Sequence, residues 1–285
     1  MRRLLAPRLL PWHVLIVGIV AAFVAAGVWQ LDRHAQAADR NALLTERLAG
    51  TPQPFDAAAR RYDPAAEPGA ADDPRYRPVV AEGRFAAEHE VLWRGRAFDG
   101  QPGYHVLTPL VLEGADGDPT RAVLVDRGWI PYRHQEPEVP DFAPPTGPVR
   151  VEGRLMPEQG TPEGPLAALA PRDPSDVTLD TVARPDVERL QGQVPWPLER
   201  FVLEAEKIAT VPAGGEEPVV HARVAEGGLD PGLGEVRLPL LPSAPAPEPG
   251  PHLGYAIQWF SFAAITAVGY LLLLRRRLFV PSRRG

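Results

Sequence analysis

The sequence predicts a membrane protein: two transmembrane α-helices flanking a mainly β extracytoplasmic domain, antiparallel and barrel- or sandwich-like. Three observations predict it. Two apolar runs lie near the ends of the 285-residue chain, arginine clusters flank their outer edges, and short strand-like runs separated by turn residues fill the middle.

The first run, residues 9–31, contains no Asp, Glu, Lys or Arg, and its one ionisable group is His13. At about 1.5 Å per residue, a helix of that length covers about 34 Å, enough for a hydrocarbon core of about 30 Å. Trp12 and Trp29 sit near its two ends, where indoles favour the interface. The second run, residues 252–274, has the same length and stops at Arg275-Arg276-Arg277, with Tyr255 and Trp259 towards its start and Tyr270 towards its end.

Residues 1–8 hold three arginines and residues 275–285 hold five, and neither tail carries an acid. The positive-inside rule therefore places both basic tails in the cytoplasm of a cell-membrane protein and residues 32–251 outside it. Removing those eight charges from the net −6 leaves −14 for the remainder, which disfavours binding to nucleic-acid phosphates. A cleaved signal peptide is the competing reading of the first run, with Ala35-Gln36-Ala37 as its cleavage site. The length of the run and the polar Asp32, Arg33 and His34 before that site argue against it.

Residues 35–48 keep helix formers with Leu43, Leu44 and Leu48 near helical spacing, so the first helix is expected to continue to Gly50-Thr51-Pro52. Residues 51–78 read as a loop. Strands are expected over 79–85, 90–95, 104–112, 121–130 and 149–155, with Asp116-Gly117 turning one hairpin. Ala122-Val123-Leu124-Val125 is apolar without alternation and predicts a strand covered on both faces. Residues 157–250 are proline-rich, with a short helix expected within 177–190 and strands over 200–208 and 219–224. Prolines at 239, 242, 245, 247, 249 and 251 make a stiff extended lead into the second span.

There is no cysteine, hence neither disulfide nor thiolate site. No nucleophile elbow, phosphate loop, dinucleotide fingerprint or zincin motif occurs, and the chain is not expected to be an enzyme. His89, His105, His134 and His221, scattered through the β region, read as structural or surface residues. His252 opens the second span after Pro249-Gly250-Pro251. There the partial positive charge of the helix N-terminus disfavours imidazolium. A neutral imidazole beside an aromatic-rich helix suits an axial haem ligand, whereas the plainer reading is a helix cap touching headgroups. His34 lies at comparable depth past the first span and could complete a bis-imidazole pair.

Gly27-Val28-Trp29-Gln30-Leu31-Asp32-Arg33, Gly83-Arg84-Phe85 and Gly103-Tyr104-His105-Val106-Leu107-Thr108-Pro109-Leu110 occur in that order. They are followed by Val123-Leu124-Val125-Asp126-Arg127-Gly128-Trp129-Ile130-Pro131, by Val151-Glu152-Gly153-Arg154-Leu155 and by His252-Leu253-Gly254-Tyr255-Ala256-Ile257-Gln258-Trp259-Phe260. This series resembles the Surfeit-locus cytochrome c oxidase assembly factor family over residues 27–260. The resemblance implies a non-enzymatic role in maturing the catalytic subunit of haem-copper cytochrome c oxidase, at the haem a insertion stage. It also implies transient haem a, with the oxidase subunit and haem a synthase as partners and the bilayer as surroundings.

By the same resemblance His252 matches the proposed haem ligand. Arg127 is either a partner for a haem propionate or a structural ion pair. Gly128 is expected in a tight backbone turn and Trp129 in the core. Trp29, Gln30 and Trp259 could meet across the two helices, Trp259 being a candidate haem contact. Two alternatives stay open: a scaffold for the oxidase subunit that ligates no haem, and a membrane-tethered β ligand-binding module.

Overall fold

The computed structural model describes residues 9–114, 118–132, 142–160, 171–174, 177–211, 219–223 and 239–279. The outermost terminal arginines, the Asp116-Gly117 turn, His134 and parts of the proline-rich stretch lie outside these residues. The chain divides into two compact units, one of α1 up to Thr45 with the segment from Ala246 onward, the other Glu46–Pro245.

The helical unit is built from α1 (Leu10–Leu48) and α4 (His252–Phe279). Both are long and apolar enough to cross a membrane. α1 runs through the polar extension as expected and ends where Gly50 N–H caps the Arg47 carbonyl. α4 passes beyond residue 274, because arginine is a good helix former and no breaker intervenes. The less exposed positions of α1 recur at alternating spacings of three and four (Phe23, Gly27, Gln30, His34, Ala37), a seam of coiled-coil type. Phe23 meets Trp259 and Phe262, His13 bonds Tyr270, and a Cβ on Gly27 would lie 2.7 Å from the Phe260 ring. Rising numbers in α1 meet falling numbers in α4, so the pair is antiparallel. Away from the seam, large apolar side chains are exposed: Val17 at 66%, Ile257 at 61% and Ile265 at 69%.

The second unit is a sheet closed on itself. Its strands are β1 (Gln53–Pro54), β2 (Arg77–Phe85), β3 (Val91–Phe98), β4 (Gln101–Glu113), β5 (Pro119–Pro131), β6 (Pro148–Pro157), β7 (Thr181–Val182), β8 (Leu198–Thr210) and β9 (Val220–Arg223). The pairings β2–β6, β6–β8, β8–β5, β5–β4 and β4–β2 form a ring of five. The barrel-like expectation therefore holds, but the antiparallel one does not. β5 pairs parallel with β8, as do β1 with β2 and β3 with β7. Parallel neighbours need a long crossover, and β6 followed by the stretch to residue 198 supplies one. β2 leaves β6 for β4 at its end, pairing Arg84 and Phe85 with Val111 and Leu110. Gly83 sits at that switch, where a Cβ would collide with the Val111 carbonyl.

One set of alternating side chains fills the ring, including Val79, Leu110, Val123, Val125, Val151 and Leu203. The opposite faces of β4, β5 and β8, with Val111, Ala122, Leu124 and Val202, are covered by β3, β7 and the short helix α3 (Val187–Leu190). That double cover explains the unbroken apolar run of β5. Residues 51–78, read as a loop, contain β1 and the helix α2 (Phe55–Arg61). Its alanines favour helix, and Phe55 and Ala58 are drawn into the core.

Candidate functional site

His252 is the first residue of α4 and is half-buried. Its Nδ1 lies 3.0 Å from Oε1 of Gln30 on the seam of α1. A carbonyl oxygen only accepts, so this contact puts the ring proton on Nδ1 and leaves the Nε2 lone pair available. Haem iron takes imidazole through an unprotonated nitrogen, and the donor set here fits that requirement. Beside the ring stands Gly250, with φ +67°, and a Cβ there would lie 3.3 Å from Nε2. The glycine keeps the approach to that nitrogen uncrowded.

His34 lies one helical turn past Gln30 on the same seam, and its Nδ1 is buried without a hydrogen-bond partner. No described contact joins it to His252. Trp259 packs its ring at 5.7 Å from Phe23 and 5.9 Å from Phe262, two turns along α4 from His252. Trp29 points elsewhere, 54% exposed beneath the Arg33 guanidinium. The three-way meeting of Trp29, Gln30 and Trp259 is thus replaced by Gln30 with His252 and Trp259 with phenylalanines.

Arg127 belongs to the β unit and is buried at 2% exposure. Its guanidinium contacts Glu90 at 2.6 Å, the Thr108 hydroxyl at 2.7 Å and the Phe142 carbonyl at 2.9 Å. Within the β unit its charge is therefore met by Glu90. Arg127 and Gly128 form a bulge, since the β4–β5 register pairs His105 with Trp129 but Leu107 with Asp126. Gly128 has φ +115°, and Trp129 is 1% exposed in the core.

The bulge also aims Asp126 at His105, whose Nδ1 lies 2.6 Å from Oδ2, while Oδ1 accepts the Gly128 N–H at 2.9 Å. Nearby, the buried Arg154 bonds Glu206 and Glu204, and reaches the carbonyls of Pro242 and Ser243. Burial, with the Asp126 charge beside it, raises the Glu204 carboxyl above its ordinary value although Arg154 pulls it down. No single motif predicts this network, because its members lie on four strands and meet only through sheet register. Among the described residues, no group of three or more His, Asp or Glu is arranged to hold a metal ion.

Comparison with known proteins bears on most of the chain. The model of the SURF1 family matches residues 17–264. Uncharacterized SURF1-like proteins of Mycobacterium bovis and of Mycobacterium tuberculosis are 26% identical to it over 268 residues, which is 90% of this chain and 81% of theirs. The motifs at the end of α1, along β2, β4, β5 and β6, and at the start of α4 fall within the matched span. The chain belongs to the SURF1 family.

Proposed function

We propose that this protein is a non-enzymatic assembly factor for haem-copper cytochrome c oxidase. It holds haem a through His252 and hands it to the catalytic subunit, with haem a synthase as the source. In this reading α1 and α4 cross the cell membrane, residues 1–8 and 275–285 are cytoplasmic, and residues 32–251 lie outside. The apolar flanks left exposed on both helices support the membrane placement, since water would disfavour them and acyl chains would not. The terminal arginines support the orientation.

The observation that carries the haem reading is the Gln30–His252 hydrogen bond, which leaves Nε2 at the end of an apolar, aromatic helix pair. Haem is cargo here, and this chain's task is to bind, orient and release it. His34, with its unpartnered ring nitrogen, is the candidate for a second axial position.

The test is the absorption spectrum of the detergent-purified protein co-expressed with haem a synthesis, wild type against His252→Ala. A haem a spectrum in the wild type that disappears in the variant is the expected result. A full spectrum in His252→Ala, or none in the wild type, would overturn the ligand assignment and leave a scaffold for the oxidase subunit.

A further inference from the structure

Gln30 stands where the apolar seam of α1 gives way to polar sequence. Three residues earlier Gly27 packs against the Phe260 ring, and two later comes Asp32. A carboxamide on such a seam, with its oxygen 3.0 Å from one imidazole nitrogen, can do more than join two helices. An acceptor on Nδ1–H selects the tautomer, fixes the rotation of the ring and raises the basicity of the opposite nitrogen. A Cβ on Gly250 would stand 3.3 Å from that opposite nitrogen, and the glycine leaves it uncrowded.

We infer that Gln30 is the positioning residue of the haem site: its side-chain oxygen orients His252 and sets how strongly Nε2 donates to iron. The inference rests on His252 being the ligand. It assigns to the first helix a role in binding strength and redox potential rather than in helix packing alone. A neutral amide is a weaker acceptor than a carboxylate. The site is thereby tuned towards moderate donation, suited to a protein that must release its cargo.

The experiment uses the full-length, detergent-purified protein loaded with haem a by co-expression, as wild type, Gln30→Leu, Gln30→Glu and His252→Ala. Two readouts are taken: the rate of haem loss to excess apomyoglobin, and the reduction potential from a spectroelectrochemical titration. Gln30→Leu, lacking an acceptor, should hold haem about 10- to 100-fold more weakly and shift the potential upward. Gln30→Glu, with a stronger acceptor, should shift the potential downward and retain haem. Opposite shifts from one position are what a mere packing role would not produce.

If both Gln30 variants keep the wild-type potential and rate while His252→Ala loses haem, the inference about Gln30 falls and the ligand stands. If His252→Ala keeps its haem, both fall. Should Gln30→Leu fail to fold, the potential of Gln30→Glu decides alone: a downward shift supports the inference and an unchanged value overturns it.

Discussion

Trp129 and Leu240 exchange both of their backbone hydrogen bonds, at 2.7 and 2.9 Å, and so tie the proline-rich segment to the end of β5. Leu241 follows into the core, and Arg154 reaches the next two carbonyls. The tie depends on Gly128, whose φ of +115° is closed to side chains and where a Cβ would collide with the Leu240 carbonyl. Gly128→Ala should destabilise the β unit by about 2–4 kcal/mol, combining backbone strain of about 1–2 kcal/mol with displacement of the segment. Denaturant unfolding measures the loss, and faster proteolysis near residue 240 locates it. Wild-type stability in this variant would mean the tie contributes nothing.

Arg47 and Asp73 form a second buried pair in the β unit, 2.7 Å apart and each about 1% exposed at the side chain. Burial alone pushes the Asp73 carboxyl up. The Gly69 N–H, the Arg47 guanidinium and the Arg75 N–H outweigh burial and hold it below the ordinary 3.8. A depressed carboxyl stabilises the fold above its unfolded value and loses that contribution as pH falls through the folded one. Asp73→Ala should therefore cost about 3–5 kcal/mol at neutral pH, with the deficit shrinking below about pH 4. Unfolding curves at pH 7 and pH 3 test the sign.

Much of this architecture is legible in the residues, and the illegible parts have a common cause. The strands of the ring fall within three residues of the expected bounds, because alternation and turn chemistry are local signals. Ala122–Val125 even announces its double cover. The parallel β5–β8 pair does not show, since nothing local tells a strand which neighbour it meets after the long crossover of residues 132–197. The same holds for the sites. His252 is marked by its place at a helix start, whereas its partner Gln30 lies 222 residues away and is found only by packing. His105 and Asp126 meet through a bulge whose one hint in the sequence is Gly128.

Glu204 offers the opposite pH signature. Burial, then the neighbouring Asp126 charge, raise its carboxyl above the ordinary 4.5. The folded state thus binds this proton more tightly than the unfolded chain, and the contribution is greatest in acid and declines as pH rises through the raised value. Glu204→Gln removes the charge and keeps the shape. It should stabilise the protein at pH 8 relative to wild type and leave it level or weaker at pH 4. A gain that is equal at both values would show that the carboxyl is not raised.

The absence of cysteine makes the orientation of the chain directly measurable. Ala71→Cys places a single thiol at an exposed position of the β unit, and Ser282→Cys places one in the C-terminal basic tail, past Arg275-Arg276-Arg277. In intact spheroplasts a membrane-impermeant maleimide should label the first and spare the second. Both should react once the membrane is opened with detergent. Labelling of residue 282 alone in intact cells would invert the proposed topology.

Gly250 separates space at the proposed haem site from the chemistry of its proposed ligand. Its φ of +67° is a left-handed conformation that alanine adopts at a cost of about 1–2 kcal/mol, and the new Cβ would stand 3.1 Å from Cδ2 and 3.3 Å from Nε2 of His252. At those distances the ring must give by a few tenths of an ångström, but both of its nitrogens and the Gln30 acceptor are kept, so Gly250→Ala crowds the approach to Nε2 without removing the ligand or its partner. Haem a loading of the co-expressed protein should fall by about tenfold, the change expected from about 1.4 kcal/mol. Thermal unfolding of the β unit, to which residue 250 does not belong, should stay at the wild-type midpoint. Normal loading with an unshifted spectrum would mean that the cargo does not approach His252 past Gly250.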